Sequence, residues 1–315
     1  MANRVRLWLL AFCMAVLAAC GSPPASNSGS GNTPVQPLRV LLIPADGGTE
    51  DGTKADFKPL FDALSHATGL VFDVRVGQSY AAVIEGMCAG HADIAWFGPV
   101  SYIEARDRGC AELLAIEETA GSTTYYAGLF VRASSDIQTV SQLSGRTLAL
   151  GSSHSASSFA YPLALLKAEN IDPLTDLKAL RLNESHTQSL MALQSGDVDA
   201  AGASLTSFER ALNQGGLDAS NFRILARSDS IPNPPIAMSR KLPEDVKATL
   251  REALGKLHET AGVDPATIRG YGGKRVDRYV TQFDEAEIDE AFEAVAFVDD
   301  DLKAALLRKA SGAKK

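Results

Sequence analysis

The residues best suited to chemistry lie in a Ser-rich segment at the centre of the chain, residues 151–158. The apolar run 147–150 before it predicts a strand, and the Ala- and Leu-rich residues after it predict a helix. Pro162 fits only the first turn of a helix, so we expect the helix to begin within 155–158. Backbone N–H groups, hydroxyls and the positive end of the helix dipole would then meet at one place. This combination predicts a binding site for an anion.

An enzymatic role is the main alternative for these hydroxyls. Ser155 or Ser157 could act as a nucleophile with His186 as its base. However, neither serine lies in a Gly-x-Ser-x-Gly turn, and no acid that would orient His186 is evident. The segment also lacks the lysine of a P-loop and the glycine spacing of a dinucleotide-binding loop. The sequence therefore favours a binding protein without a cofactor over an enzyme.

The first residues predict export. Residues 1–19 combine Arg4 and Arg6 with a following apolar stretch, which is the form of a signal peptide. The segment 17–20, Leu-Ala-Ala-Cys, resembles a bacterial lipobox in which Cys20 is lipidated, and an ordinary secretory signal is the alternative. The apolar stretch is too short for a permanent membrane helix. We expect an exported protein that is held at the cell envelope, on the periplasmic side or outer face of a membrane, by lipid on Cys20.

The remaining N-terminal segment and the overall charge restrict the partners. Residues 20–37 are rich in Pro, Ser, Gly and Asn and predict a flexible linker. Loss of the two signal-peptide arginines would leave 28 basic against 38 acidic residues, a net charge of −10. This negative net charge argues against nucleic acid and anionic membrane surfaces as partners. An anion would have to be held by local donors.

Two cysteines remain in the body, Cys88 and Cys110. Neither belongs to a Cys-x-x-Cys pair and no histidine cluster accompanies them, which argues against a metal site. Outside the cytoplasm the expected state is a disulfide. Both residues fall at the ends of predicted helices that lead into neighbouring strands, which would place them on one rim of a sheet.

Strand and helix patterns alternate from Leu38 onwards and predict an α/β protein with largely parallel sheets. The chain completes one α/β unit, builds a second and returns. We expect a first lobe from residues 38–133 and 227–315 and a second lobe from residues 134–226. Two crossings between lobes imply a hinge and a cleft, with the ligand at the carboxyl ends of strands.

Several short segments, in their order along the chain, resemble one family. They are 79–87, 92–98, Tyr125 with 129–131, 142–147, 155–158, 185–186 with 196–199, and 231–235. Together, over about residues 38–280, they resemble the phosphonate/phosphite/phosphate-binding proteins of ABC importers. The resemblance implies the two-lobed, type II periplasmic-binding-protein fold, with two mostly parallel sheets flanked by helices. It also implies a small phosphorus oxyanion as ligand and an ABC transporter permease as partner.

The resemblance assigns a set of ligand-binding residues. Ser155, Ala156 and Ser157 match the helix start that holds the phosphonyl oxygens. Tyr80 and Tyr125 match two aromatic residues that face the ligand from the first lobe, and His186 matches a histidine donor from the second. A histidine can donate to an oxyanion and gain charge beside it. Second-tier candidates are Phe97, His154, Ser158 and Thr206; of the pair Trp96 and Phe97, we expect Trp96 to pack in the core.

Three positions depart from the family pattern. Ala156 stands where a threonine is usual, Thr206 where the family's founder has a carboxylate for the ligand's amine, and Pro234 where it has an aspartate that accepts a phosphonyl O–H proton. These losses predict weak affinity for aminoethylphosphonate and less discrimination against fully ionised ligands. Inorganic or simple oxyanions, or an organophosphorus compound with another side group, are the expected ligands. The partner stays open, because a membrane kinase or chemoreceptor could also recognise the closed form.

Overall fold

Two mixed sheets, each covered by helices, organise the chain. The computed structural model describes residues 36–45 and 50–312. The predicted signal peptide, Cys20 and residues 20–35 of the predicted linker lie outside the described residues. No described helix is long and apolar enough to cross a membrane.

The elements follow one another in a regular order. They are β1 (Leu38–Leu42), α1 (Glu50–Thr68), β2 (Phe72–Val76), α2 (Tyr80–Cys88), β3 (Ile94–Trp96), α3 (Pro99–Asp107), β4 (Ala111–Glu118), β5 (Thr124–Arg132), β6 (Thr147–Leu150), α4 (Tyr161–Ala168), β7 (Ala179–Leu182), α5 (His186–Ser195), β8 (Ala200–Ser204), α6 (Leu205–Asn213), β9 (Phe222–Pro232), β10 (Pro235–Ser239), α7 (Glu244–Gly255), β11 (Arg278–Val280), α8 (Glu285–Glu293) and α9 (Asp300–Gly312). The alternation of strands and helices predicted from the sequence is therefore present through both halves of the chain.

The first sheet has the strand order β11–β4–β10–β3–β1–β2. β1 pairs in parallel with β2 and β3, whereas β10 inserts antiparallel between β3 and β4, and β11 is antiparallel to β4. The sheet is thus mixed, although β1 to β4 share one direction. Its core contains Leu42, Ile94, Phe97, Tyr102 and Ile116, all fully buried.

The second sheet has the order β7–β6–β8–β5–β9 and is also mixed. β6 pairs in parallel with β7 and β8, whereas β5 is antiparallel to β8 and β9. Leu129 and Val131 of β5 pack in one buried cluster and Phe130 in another, so β5 is buried on both faces of this sheet. The two sheets make up the two lobes of a type II periplasmic-binding-protein fold.

The strand pairing differs from the expected lobe boundaries at two places. β5 and all of β9 lie in the second sheet, although residues 38–133 and 227–315 were expected in the first lobe. α9 also packs on the second lobe, because Leu306 is buried in its core and Lys309 Nζ donates to the carbonyls of Leu174 and Leu177, each at 2.7 Å. These placements depend on contacts between residues far apart in sequence, which the local pattern does not contain.

Cys88 and Cys110 are joined by a disulfide, with their Cα atoms 4.8 Å apart. Cys88 ends α2 and Cys110 directly precedes β4. The strands that follow the two cysteines, β3 and β4, are not paired with each other as expected but lie on either side of β10. Among the described residues, no group of three or more His, Cys, Asp and Glu side chains could hold a metal ion.

Candidate ligand-binding site

The Ser-rich segment folds into a strand, a tight loop and a helix start. β6 ends at Leu150, and Ser155 caps the helical turn Ala156–Ala160, its hydroxyl accepting a hydrogen bond from Ser158 N–H at 3.2 Å. The turn is of the π type and continues into α4. The predicted helix start within residues 155–158 is confirmed. Ser155 thus occupies the N–H of Ser158, whereas the N–H groups of Ala156 and Ser157 have no partner within the helical turn and are available to an anion.

Pro162 explains how the loop closes onto the helix. It has no N–H group, so it cannot donate to the carbonyl of Ser158 in a normal helical turn. That carbonyl instead accepts from Gly151 N–H at 2.9 Å. A side chain at Gly151 would place its Cβ 2.0 Å from Ser158 Oγ, so this close approach requires glycine. The local sequence therefore determines the shape of the loop.

A small cavity of about 10 Å³ lies beside this helix start, where the two lobes meet. The residues lining it are Ile43, Ala45, Tyr80, Trp96, Gly98, Tyr125, Ser155, Ala156, Ser157, His186, Pro234 and Tyr271. This set includes all six residues to which the resemblance assigns ligand binding: Tyr80, Tyr125, Ser155, Ala156, Ser157 and His186. The lobes also contact each other here, because His186 N–H donates to the Ala45 carbonyl at 3.2 Å.

His186 faces this cavity as a neutral side chain. Burial lowers the pKa of His186 to about 3. Its Nδ1 accepts a hydrogen bond from Ser204 N–H at 3.0 Å, which leaves the ring proton on Nε2. The sequence led us to expect an imidazole that gains charge beside an anion, whereas in the structure His186 is a neutral donor.

Backbone dipoles supply the positive potential of the site. Tyr80, Gly98, Ser155 and His186 stand at the amino-terminal ends of α2, α3, the π turn and α5, respectively, and all four line the cavity. Of the described residues that line the cavity, none has an acidic side chain or a lysine or arginine. Helix starts that converge in this way favour an anion without a cationic side chain.

Tyr125 reaches the cavity from a different lobe than expected. It lies at the beginning of β5, in the second sheet, and its hydroxyl donates to Ser157 Oγ at 3.1 Å. The resemblance had placed it opposite Ser157, on the first lobe. Tyr80, at the start of α2, does approach from the first lobe.

The second-tier candidates are not among the residues lining the cavity. Phe97 is fully buried in the core of the first lobe. The Thr206 side chain lies against Gly272, where it would contact any Cβ on that residue. Ser158 is buried against Gly151. His154 borders an open groove of about 840 Å³, and its Nδ1 lies 2.6 Å from a carboxylate oxygen of Glu104. We therefore assign none of the four to the ligand.

Trp96 packs in the core of the first lobe, as expected, and it also lines the cavity. Successive side chains at a strand end point in opposite directions, so when Phe97 enters the core Trp96 is directed towards the cavity. The alternation of side chains along a strand predicts that Trp96 and Phe97 point in opposite directions. It does not predict which of the two faces the cavity.

Tyr271 is a cavity residue that the sequence analysis missed. Its hydroxyl shares hydrogen bonds with Ser204 Oγ at 2.6 Å and Ser207 Oγ at 2.8 Å, and its N–H donates to the carboxylate of Glu117 at 3.1 Å. A Cβ on neighbouring Gly272, which has φ +68°, would come within 2.5 Å of Thr206. A tyrosine surrounded by glycines, 270–273, is the signal that could have identified it.

Comparison with known proteins identifies the family. Residues 48–289 match the family model described as the periplasmic substrate-binding protein of phosphonate ABC transporters. The chain belongs to this phosphonate-binding family. Members are exported transporter binding proteins rather than enzymes, in agreement with the resemblance noted in the sequence.

Individual members of the phosphonate-binding family agree with this assignment. The chain is 28% identical over 248 residues to the phosphate-import protein PhnD of Mycolicibacterium smegmatis, covering 75% of this chain and 77% of that protein. Its fold is similar to the binding component of a Pseudomonas aeruginosa ABC phosphonate transporter, with a TM-score of 0.71, 22% identity and coverage of 89% and 97%. It is also similar to PhnD1 of Prochlorococcus marinus in complex with methylphosphonate, with a TM-score of 0.69, 17% identity and coverage of 81% and 97%.

Proposed function

We propose that this protein captures a compact phosphorus oxyanion, such as phosphate, phosphite or a simple phosphonate, and delivers it to an ABC transporter permease. One observation carries the proposal: neutral hydrogen-bond donors and helix starts from both lobes surround one small cavity. Hydrogen bonds from such donors to an ionised oxygen are stronger than bonds between neutral groups.

The described side chains around the cavity offer donors to the ligand. Ser155, the helix start at Ala156 and Ser157, and the neutral His186 lie in the second lobe, and Tyr80 lies in the first. No described carboxylate lines the cavity to accept a proton from a ligand hydroxyl. This arrangement supports a dianionic ligand, whose ionised oxygens accept hydrogen bonds from these donors.

The relatives support a compact ligand. They include a phosphate-import protein and a protein in complex with methylphosphonate, and both ligands are small. The cavity of about 10 Å³ has the space for about one water-sized sphere, so it must widen to admit either of them.

Capture would proceed by hinge closure. The chain crosses between the sheets at residues 119–123 and 233–234, next to the cavity residues Tyr125 and Pro234. Closure brings Ala45 against His186 and buries the anion between the lobes, and the closed shape is what the permease recognises. We further propose that lipid on Cys20 and the linker that follows it tether the protein to the envelope.

Binding without turnover fits the hydrogen bonds of the site. Ser157 Oγ accepts from Tyr125, and the Nδ1 atom of His186 accepts from a backbone N–H. With its proton on Nε2, His186 cannot take a proton from Ser157 through that atom. The serine and histidine therefore do not form the nucleophile and base of a hydrolase.

Calorimetry and thermal shift with the purified protein test the proposal. The panel contains phosphate, phosphite, methylphosphonate, aminoethylphosphonate and sulfate. A ligand at about 100 times its Kd adds roughly 2.7 kcal/mol to the free energy of unfolding. Ser157→Ala and His186→Ala should weaken binding, whereas Ser189→Ala, a buried serine of α5 outside the cavity, should not. The proposal is wrong if no phosphorus oxyanion binds, and the preference for a ligand without an aminoalkyl group is wrong if aminoethylphosphonate binds most tightly.

A further inference from the structure

The indole of Trp96 has an unusual hydrogen-bonding state. Its Nε1 is buried and has no hydrogen-bond partner among the described residues, and the side chain is only 3% exposed. Indole N–H is a donor only, and buried donors without partners are rare in native proteins because they lower stability. The Trp96 donor thus requires an explanation.

The position of Trp96 connects this donor to the ligand cavity. Trp96 is the last residue of β3, at the carboxyl end of a strand, and it lines the cavity together with Tyr80 and Ser157. Ligands of open α/β sheets bind at such strand ends. The position of Trp96 therefore allows its N–H group to pair with a hydrogen-bond acceptor that is bound in the cavity.

Packing alone does not account for a tryptophan here. The ring packs against Phe57, with centroids 4.8 Å apart, and against Tyr271, with centroids 5.8 Å apart. A phenylalanine would make similar aromatic contacts and would bury no polar atom. What tryptophan adds is the N–H group.

We propose that the Trp96 N–H donates a hydrogen bond to a bound oxyanion and that Trp96 is a specificity-determining residue of this site. This inference rests on the proposed oxyanion function. Trp96 adds a donor from the first lobe to those of Ser155, Ser157 and His186 in the second, so both lobes contact the same anion. A donor that cannot accept favours an ionised oxygen at its position and disfavours a hydroxyl or a carbon substituent there. The ligand class is a dianionic tetrahedral oxyanion with an ionised oxygen at this position.

The test compares Trp96→Phe with the wild-type protein, with inorganic phosphate, phosphite, methylphosphonate and sulfate as probes. We expect the Kd of the bound oxyanion to rise by about 10- to 100-fold, since a hydrogen bond to a charged group is lost. The melting temperature without ligand should change little, because removal of the buried unpaired donor offsets the loss of buried ring volume. In a ¹⁵N-labelled sample, the indole N–H resonance that is absent from Trp96→Phe should shift when the oxyanion is added.

Tyr279→Phe is the matched control. The Tyr279 hydroxyl is also buried without a hydrogen-bond partner among the described residues, but Tyr279 does not line the cavity. This variant also removes a buried unpaired donor, but it should leave the Kd unchanged.

Three outcomes would overturn the inference. The first is a Trp96→Phe variant with wild-type Kd, and the second is an indole resonance that does not respond to saturating oxyanion; the proposed function stands in both cases. The third is a wild-type protein that binds none of the four oxyanions, which overturns the proposed function and this inference together.

Discussion

His186 shows how burial changes the role of a single residue. A histidine beside an anion is expected to be charged, but burial holds the pKa of His186 at about 3 and Ser204 N–H occupies its Nδ1. The side chain therefore offers one neutral N–H at physiological pH. A neutral donor suits this buried position, because a charged imidazole would have no partner while the cavity holds no anion.

The pKa of His186 predicts how stability depends on pH. In the unfolded chain a histidine takes up its proton near pH 6.5, whereas in the folded protein His186 does so only near pH 3. Stability is therefore lost as the pH falls through this window, by up to about 1.4 kcal/mol per pH unit. Urea unfolding between about pH 6.5 and pH 4.5 should show a shallower loss for His186→Gln than for the wild type.

An exposed histidine provides the control for this measurement. His91 is exposed, so His91→Gln should reproduce the wild-type slope. A slope for His186→Gln equal to that of the wild type would show that His186 does not carry the expected proton linkage.

At the scale of elements, α6 and its partners form a second contact between the lobes, away from the cavity. Arg210 of α6 forms an ion pair with Asp56 of α1, and Glu209 accepts from Lys274 at 2.7 Å. Arg210 is nearly buried, whereas Glu209 and Lys274 are exposed. Because partly buried pairs are less screened than exposed ones, the Asp56 pair should favour the closed arrangement more than the Lys274 pair.

Asp56→Asn should therefore weaken oxyanion binding although Asp56 does not line the cavity. If closure brings α1 and α6 together, loss of the attraction favours the open form, and the apparent Kd should rise about 3- to 10-fold. Calorimetry with phosphate or methylphosphonate measures this change.

Glu209→Gln, which removes the exposed pair in the same helix, is the control and should change the Kd by less than about twofold. Equal effects of the two variants, or a wild-type Kd for Asp56→Asn, would mean that this contact does not contribute to closure.

At the scale of the whole molecule, the charge opposes the ligand. The chain has a formal net charge of −8, yet the proposed ligand is an anion. Attraction must come from helix starts and donors at short range, while the overall field repels the anion at long range. The two effects differ in their dependence on salt.

Association with phosphate should therefore become faster as salt is added. Between about 0.01 M and 0.1 M chloride the Debye length falls from about 30 Å to about 10 Å, which screens the long-range repulsion. Stopped-flow fluorescence should show a rising association rate and a nearly constant dissociation rate. An association rate that falls with salt would show instead that a local positive field controls capture.

The shape of the Ser-rich loop and the general architecture could be predicted from the sequence. Pro162, the Ser155 cap and Gly151 act on their immediate neighbours, so the strand, loop and helix start followed from residues within a few positions of each other. The alternation of strand and helix patterns is equally local, and it predicted an α/β protein. The order of short motifs was enough to indicate the family.

The residues that complete the cavity lining follow from contacts that form only in the folded chain. Tyr271 reaches the cavity from more than 100 positions beyond Ser157, and β5 entered the second sheet because its side chains are buried on both faces there. Whether Trp96 or Phe97 faces the ligand, and which nitrogen of His186 carries the proton, depends on atoms brought close by the fold. Local preferences follow from adjacent residues, whereas burial and hydrogen-bond partners follow from contacts between distant ones, and the second kind sets the chemistry of this cavity.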